Sequence, residues 1–382
     1  MFKKTTCLIL GSLMVLAIIL TSCSPQTATT ATSPSTITNS NGNAGTGTTG
    51  STPTIGTPPS GAPPSGAPPN GVSGGSSPGG APPGGSGSTS TVTGTATYSQ
   101  KGGTITMSNQ TITASKQNES AVKITDIGVY TFMDSIVSTI GDTTSMADSS
   151  FYGLNAAILA ESGSKITLSN VKVNTTGSGA NGVFATGQNS KIDLTDVTIN
   201  CTNTGAHGVG ATLGGTSNLK NVDITTAGNG ASAAIATDRG GGTIKFIGGT
   251  VITSGTKSPP IYSAGTITVT GATMKATNSE AVAIEGKNSV TLTDTDISGS
   301  KNWGIIIYQS MSGDAEVGTG NFTMTGGILT AEEGPPFHFN QYSVGHQSKG
   351  NCTGLPFKRS VKSQCRGLGY QRVKWGTGYL HS

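Results

Sequence analysis

Aromatic side chains make up only 5% of the 382 residues, and charged ones only 10%. The cysteines are few and scattered, as Cys7, Cys23, Cys201, Cys352 and Cys365. Their spacing fits neither a zinc site nor a paired disulfide framework. No Gly-rich phosphate loop, metal-binding His pair, nucleophile elbow or Gly-Gly-x-Gly-x-Asp calcium nonapeptide occurs in the chain. Phosphate-loop, zinc-protease, serine-hydrolase and calcium-roll chemistry therefore have no motif to stand on. The stretch from Ser24 to Thr91 lacks Asp, Glu, Lys and Arg altogether, and the stretch from Pro336 to Ser382 lacks any acid.

The charge that exists is unevenly placed. From Cys23 to Pro335, 13 Lys and Arg stand against 18 Asp and Glu, a net of −5, while the last stretch carries 7 Lys and Arg. The overall charge of +4 thus hides a mildly acidic main part. That balance argues against nucleic acid as a partner.

The longest apolar stretch, Leu8 to Leu20, follows Lys3 and Lys4. It is shorter than the roughly 20 residues a membrane-spanning helix needs. Residues 1–22 therefore read as a secretory signal. The ending Leu20-Thr21-Ser22-Cys23 resembles a bacterial lipobox. That resemblance implies cleavage before Cys23, lipidation of its thiol, and an extracytoplasmic protein anchored to the bacterial membrane. Stable anchoring takes more than one acyl chain, which a diacylglycerol supplies. Residues 23–91 are almost wholly Ser, Thr, Gly, Pro, Asn and Ala, with a near-repeat from Pro58 to Pro69. Such a segment buries too little apolar area to offset its ordering entropy, so it reads as a disordered stalk.

A single position then recurs nine times, at Asn109, Asp134, Asn170, Asp196, Asn221, Gly248, Gly271, Asp294 and Gly326. Only Asn, Asp or Gly stands there, the residues that tolerate left-handed backbone. The spacings are 25, 36, 26, 25, 27, 23, 23 and 32. Two long intervals mark insertions near residues 141–153 and 309–318. Apolar residues alternate with polar ones on both sides of the corner, as in Ile166, Leu168, Val171 and Val173, or Ile192, Leu194, Val197 and Ile199. This period of two means strands with one buried face. A further strand precedes each corner, as at 156–159, 182–185, 208–211 and 233–236. Three short strands per repeat predict an all-β, single-stranded, right-handed parallel β-helix of about nine coils over residues 92–335. Thr175, Cys201 and Thr226 share one position, so Cys201 reads as a small buried residue. His207 falls where Asn155 and Asn181 fall and reads as a turn residue.

These corners and coils resemble the pectin-lyase-like superfamily of right-handed β-helices over about Ser90 to Gly334. The likeness is greatest to bacterial surface lipoproteins and adhesin-like proteins that carry such a domain behind a stalk. In that superfamily, lyases use clustered carboxylates that hold Ca²⁺ beside a basic residue, and hydrolases use paired carboxylates. The resemblance therefore leaves room for Ca²⁺, although no cofactor is called for by the residues themselves. Most acids here have a plainer explanation. Asp134, Asp196 and Asp294 are corners, Asp193 and Asp223 face outward, and Asp238-Arg239 reads as a loop. No residue is assigned a catalytic role and none a metal. The insertions are the better places for a ligand, because solenoids carry function on loops over one face. Asp148, Tyr152, Trp303, Tyr308 and Asp314 are the candidate contacts, aromatic rings beside polar groups suiting sugars. Three readings stay open: a non-catalytic surface protein binding a polysaccharide or host glycan, a polysaccharide lyase or glycoside hydrolase, and a truncated scaffold without a specific ligand.

Residues 336–382 break the pattern. They hold three of the four His and two of the five Cys. With suitable synonymous codons, Phe337 to Gly350 reads one nucleotide later as a β-helix-like string. The tail is therefore expected to be frameshifted and disordered.

Overall fold

The computed structural model describes residues 94–309, 314–340 and 349–353. The signal segment, Cys23, the stalk and most of the tail lie outside the described residues. Through the described ones the chain winds as a parallel β-solenoid of about nine coils. Each coil contributes one strand to each of three walls. A representative coil places Val183–Thr186 in sheet A, Lys191–Thr195 in sheet B and Thr198–Cys201 in sheet C. Sheet A stacks ten strands in parallel. Sheets B and C are continuous in two coils, where Val129–Thr139 and Lys165–Thr175 each run through the corner.

The alternation in the sequence explains the interior. Ile166 lies beside Ile192 and Leu168 beside Leu194 in exact parallel register, and all four side chains are buried. Val173 and Ile199 continue the stack on sheet C. One apolar core thus runs through the coils from Ala114 to Leu329. The register also puts Cys201 between Thr175 and Thr226.

All nine corner residues have positive φ, from 45° at Asp294 to 69° at Gly326. This conformation bends the strand while its N–H stays aimed at the next coil. The Asn109 amide donates to the Met133 carbonyl at 3.1 Å, the Asn221 amide to Ile247 at 2.9 Å, and the Asp294 amide to Thr325 at 2.8 Å. Side chains add to the ladder: Asn170 Nδ2 donates to Asp134 Oδ1 at 2.7 Å, and Asn221 Nδ2 to Asp196 Oδ1 at 2.5 Å. Asn and Asp therefore serve the corner twice, by tolerating the backbone and by bonding along the row.

Sheet A differs from its neighbours. Its strands at 158–160, 183–186, 209–212, 235–237 and 282–285 are buried at every position. Sheets B and C alternate instead. A strand buried at every residue has both faces covered. Part of the cover is the first insertion, which forms a short helix, α1 (Met146–Tyr152). Ser145 caps its start, accepting from the Asp148 amide at 3.1 Å, and Gly153 ends it at φ 74°. Such capping is what Ser and a left-handed Gly supply.

The pairing continues beyond residue 335 in two stretches. Phe337–Asn340 pairs with Ile305–Tyr308 in sheet A, and Lys349–Thr353 pairs with Asn321–Thr325 in sheet B. Phe337 packs edge-on against Phe322 with centroids 6.0 Å apart. Among the described residues these two stretches are strands. Alternation reappears there as Phe337 and Phe339, which pack against the core.

Candidate functional site

The outer face of sheet A is where the two insertions meet. Helix α1 lies over its middle coils. Asn181 Nδ2 donates to the Ser149 carbonyl at 2.9 Å, and Thr212 Oγ1 donates to the Phe151 carbonyl at 2.7 Å. Beneath them Phe184 forms a small outer cluster with Ala156 and Leu159, separate from the main core. The second insertion is pinned at its base by Gln309, whose side chain donates to the Gly318 carbonyl at 2.8 Å and accepts from the Gly318 amide at 3.0 Å. Arg239 joins the two. Its guanidinium lies 4.3 Å from the Phe151 ring centroid and 3.3 Å from Asp314 Oδ1.

Around this junction sits a chain of buried polar groups. His207 Nε2 lies 2.8 Å from Asp238 Oδ2, with both side chains buried. Neither His207 ring nitrogen makes an aligned hydrogen bond within the described residues, so the contact is an electrostatic one. Burial pulls the His207 pKa down, but the Asp238 carboxylate beside it more than offsets this, leaving it raised. Further along the same face, Tyr262 donates to Glu285 Oε2, and the Tyr308 hydroxyl stands 3.3 Å from the same oxygen. The two tyrosine oxygens are 3.4 Å apart. Glu285 is only 4% exposed. Both tyrosine pKa values are raised, first by burial and then by their charged neighbours, Asp238 among them. His207, Asp238, Tyr262, Glu285 and Tyr308 thus form one electrostatically coupled set.

The five candidate contacts do not converge. Tyr308 and Asp314 belong to this set or its rim. Asp148 sits in the first turn of α1. Tyr152, at the end of α1, lines a shallow recess with Ser120, Lys123, Asn155 and Glu161. There Lys123 Nζ pairs with Glu161 Oε1 at 3.0 Å, and the side-chain oxygen Oδ1 of Asn155 is buried without a hydrogen-bond partner. Trp303 lies elsewhere, stacked on His338 with centroids 4.4 Å apart. Among the described residues, no three His, Cys, Asp or Glu side chains group as metal ligands.

Sequence reasoning missed His207, Asp238, Arg239, Tyr262 and Glu285. The signal available was the continuous apolar run of the sheet A strands, which implies a covered outer face.

The class these features define is a parallel β-solenoid whose insertions cap one wall. No family model, curated protein or solved structure matches the chain. Among the described residues no helix is long and apolar enough to cross a membrane.

Proposed function

We propose that this chain is a non-catalytic, extracytoplasmic binding protein, anchored through lipidated Cys23, that holds carbohydrate on the outer face of sheet A. The finer kinship stays with pectin-lyase-like, adhesin-like surface lipoproteins. The observation that carries the reading is that α1 and Asp314, in the described part of the second insertion, are tied together by Arg239 beside sheet A. An otherwise regular solenoid concentrates its irregular, polar and aromatic side chains there, which is how solenoids present ligand surfaces. The Tyr152 recess supplies a ring, an ammonium and a carboxylate side by side. That mixture suits a sugar, whose apolar ring face and hydroxyls need both.

A glycan array probed with the full chain tests this. Binding should weaken severalfold in Tyr152→Ala and Lys123→Ala and persist in an outward substitution on sheet C such as Thr225→Ala. No glycan retained, or retention lost only through sheet C, would end the reading. The anchor has its own test: Cys23→Ser should abolish acyl labelling and release the protein from the membrane.

One observation favours an enzyme instead. Two buried carboxylates, Asp238 and Glu285, lie near two tyrosine hydroxyls. A polysaccharide lyase or hydrolase uses such groups as acid and base. Unsaturated-product and reducing-sugar assays on acidic polysaccharides, with and without Ca²⁺, separate this reading from plain binding. A protein that fails both these assays and the array would be the scaffold without a specific ligand.

A further inference from the structure

Sheet B carries a second feature, independent of the insertions. Over strands Thr266–Thr270, Ser289–Thr293 and Asn321–Thr325, the inward positions are Ile, Val, Val, Leu, Phe and Met, all buried. The outward positions therefore form columns. Thr268, Thr291 and Thr323 stand in one, and Thr270, Thr293 and Thr325 in the next. The remaining column, at 266, 289 and 321, reads Thr, Ser and Asn. Neighbours are about 4.8 Å apart across the strands and about 6.6 Å apart along them. Threonine is β-branched and stiff at χ1, so its hydroxyl and methyl repeat with the backbone. The result is a lattice in two directions rather than a polar surface with mobile side chains.

This block is not what the solenoid presents everywhere. Its three strands turn no charged residue outward, whereas earlier strands of the same sheet carry Lys165, Lys191, Asp193, Lys220 and Lys245. In the same coils, sheet C carries Lys275 and Asp296. The corners that adjoin it are Gly271, Asp294 and Gly326, so its edge carries one exposed carboxylate, beside Thr293, and is otherwise free of side chains. At corners Gly248 and Gly271 a Cβ would meet nothing within 4 Å, so space would admit the Asn or Asp found at six other corners. Beside Thr270 in register stands Ile247, 57% exposed.

We propose that this block is an ice-binding face, whose occupant is the ordered water of an ice surface. A partner for it must be flat, uncharged and periodic in two directions. The outward positions of its three strands offer ionic polymers no counter-charge; the charges nearest in sequence and register, Asp294 and Lys245, lie at its border. Crystalline polysaccharide would need a stacking platform, and no outward position of the block is aromatic. Ice remains, since its surface presents uncharged oxygens that also repeat in two directions. The hydroxyls can join its hydrogen-bond network while the methyls and Ile247 sit in the gaps. Each contact is weak, and a rigid array makes many at once, which is where the affinity arises.

The test is thermal hysteresis, inhibition of ice recrystallisation, and partition into slowly growing ice, all with the full chain. The wild type and the sheet C control Thr273→Lys should concentrate in the ice and suppress recrystallisation. Thr291→Lys should lose much of this activity, and the triple change Thr268→Lys, Thr291→Lys and Thr323→Lys should lose all of it. Circular dichroism of each variant must match the wild type; the single change keeps the test decisive if the triple one misfolds. Exclusion of the wild type from ice, or undiminished activity in a folded lysine variant, overturns the proposal. So does sedimentation with crystalline cellulose or chitin by a wild type that ice excludes; that result would assign the face to polysaccharide.

Discussion

Replacing Asn170 by alanine and by glycine tests the corner ladder directly. Asn170 holds φ 53° and donates from Nδ2 to Asp134 Oδ1 at 2.7 Å. An L-residue with only a Cβ pays about 1–2 kcal/mol for left-handed backbone. The lost hydrogen bond, being exposed, adds no more than about 0.5 kcal/mol. Asn170→Ala should therefore cost about 1–2.5 kcal/mol in all. Asn170→Gly loses the bond but gains conformational freedom, and should stay within about 0.5 kcal/mol of the wild type. Thr167, exposed on the same strand, should behave in the opposite way, with Gly worse than Ala by about 0.5–1 kcal/mol. Thermal unfolding followed by circular dichroism reads the difference. For a domain of this size about 2–4 °C corresponds to 1 kcal/mol. Asn170→Ala should thus lower the midpoint by about 2–10 °C, while Asn170→Gly barely moves it. Gly271→Ala is the cleanest companion, because its Cβ would enter open space and any loss comes from φ alone. If alanine equals or surpasses glycine at both corners, positive φ is not what selects these residues.

Four other sites give expected outcomes of their own. Ile127 is β-branched, sits at φ 63° and is 76% exposed; Ile127→Asn should raise stability by about 1 kcal/mol, seen as a higher unfolding midpoint. A Cβ at Gly210 would lie 2.3 Å from Phe184 Cε2, so Gly210→Ala should cost about 1–3 kcal/mol in denaturant titration, partly recovered by Phe184→Leu. Burial pushes the Cys201 thiol up to about 12, so iodoacetamide at pH 8 should leave it unlabelled until the protein is unfolded. Cys201→Thr should cost less than about 1 kcal/mol, because Cys201 Sγ already faces the His207 carbonyl at 3.4 Å, much as Thr226 Oγ1 reaches Ser232 at 2.7 Å. Finally, the His207 pKa is higher in the folded protein than in the unfolded chain, so its pairing with Asp238 stabilises fully below about pH 6.5 and fades as pH rises through the folded value. The unfolding midpoint should fall across that window, and His207→Asn should flatten the fall.

The coil pattern was legible because a solenoid is written locally. Each rung repeats the same few requirements: alternating Ile, Leu and Val for an inward face, and Asn, Asp or Gly where the backbone turns left-handed. The nine corners therefore announce themselves without knowledge of any distant contact. The strand pairing beyond residue 335 was hidden for a related reason. Phe337 and Phe339 alternate correctly, but they lie among His, Asn and Gln, and only pairing with Ile305 and Ile307 makes them inward residues.

The site on sheet A was illegible because its contacts skip coils. Thr212 meets Phe151 across 61 positions of sequence, and Arg239 meets both Phe151 and Asp314. Read locally, Asp238-Arg239 is a polar pair before three glycines, and α1 is seven residues with no strong helical pattern. Their roles exist only once the wall beneath them is flat and both insertions have folded onto it. The same dependence gives the face its chemistry. Glu285 occupies a strand position that would be solvated on sheet B or C. On sheet A it is covered, so its carboxylate must bond to Tyr262 rather than to water, as buried charge demands. A regular solenoid thus makes a buried polar site simply by spending two insertions on one wall, and a sequence reader should look first at the wall whose strands do not alternate.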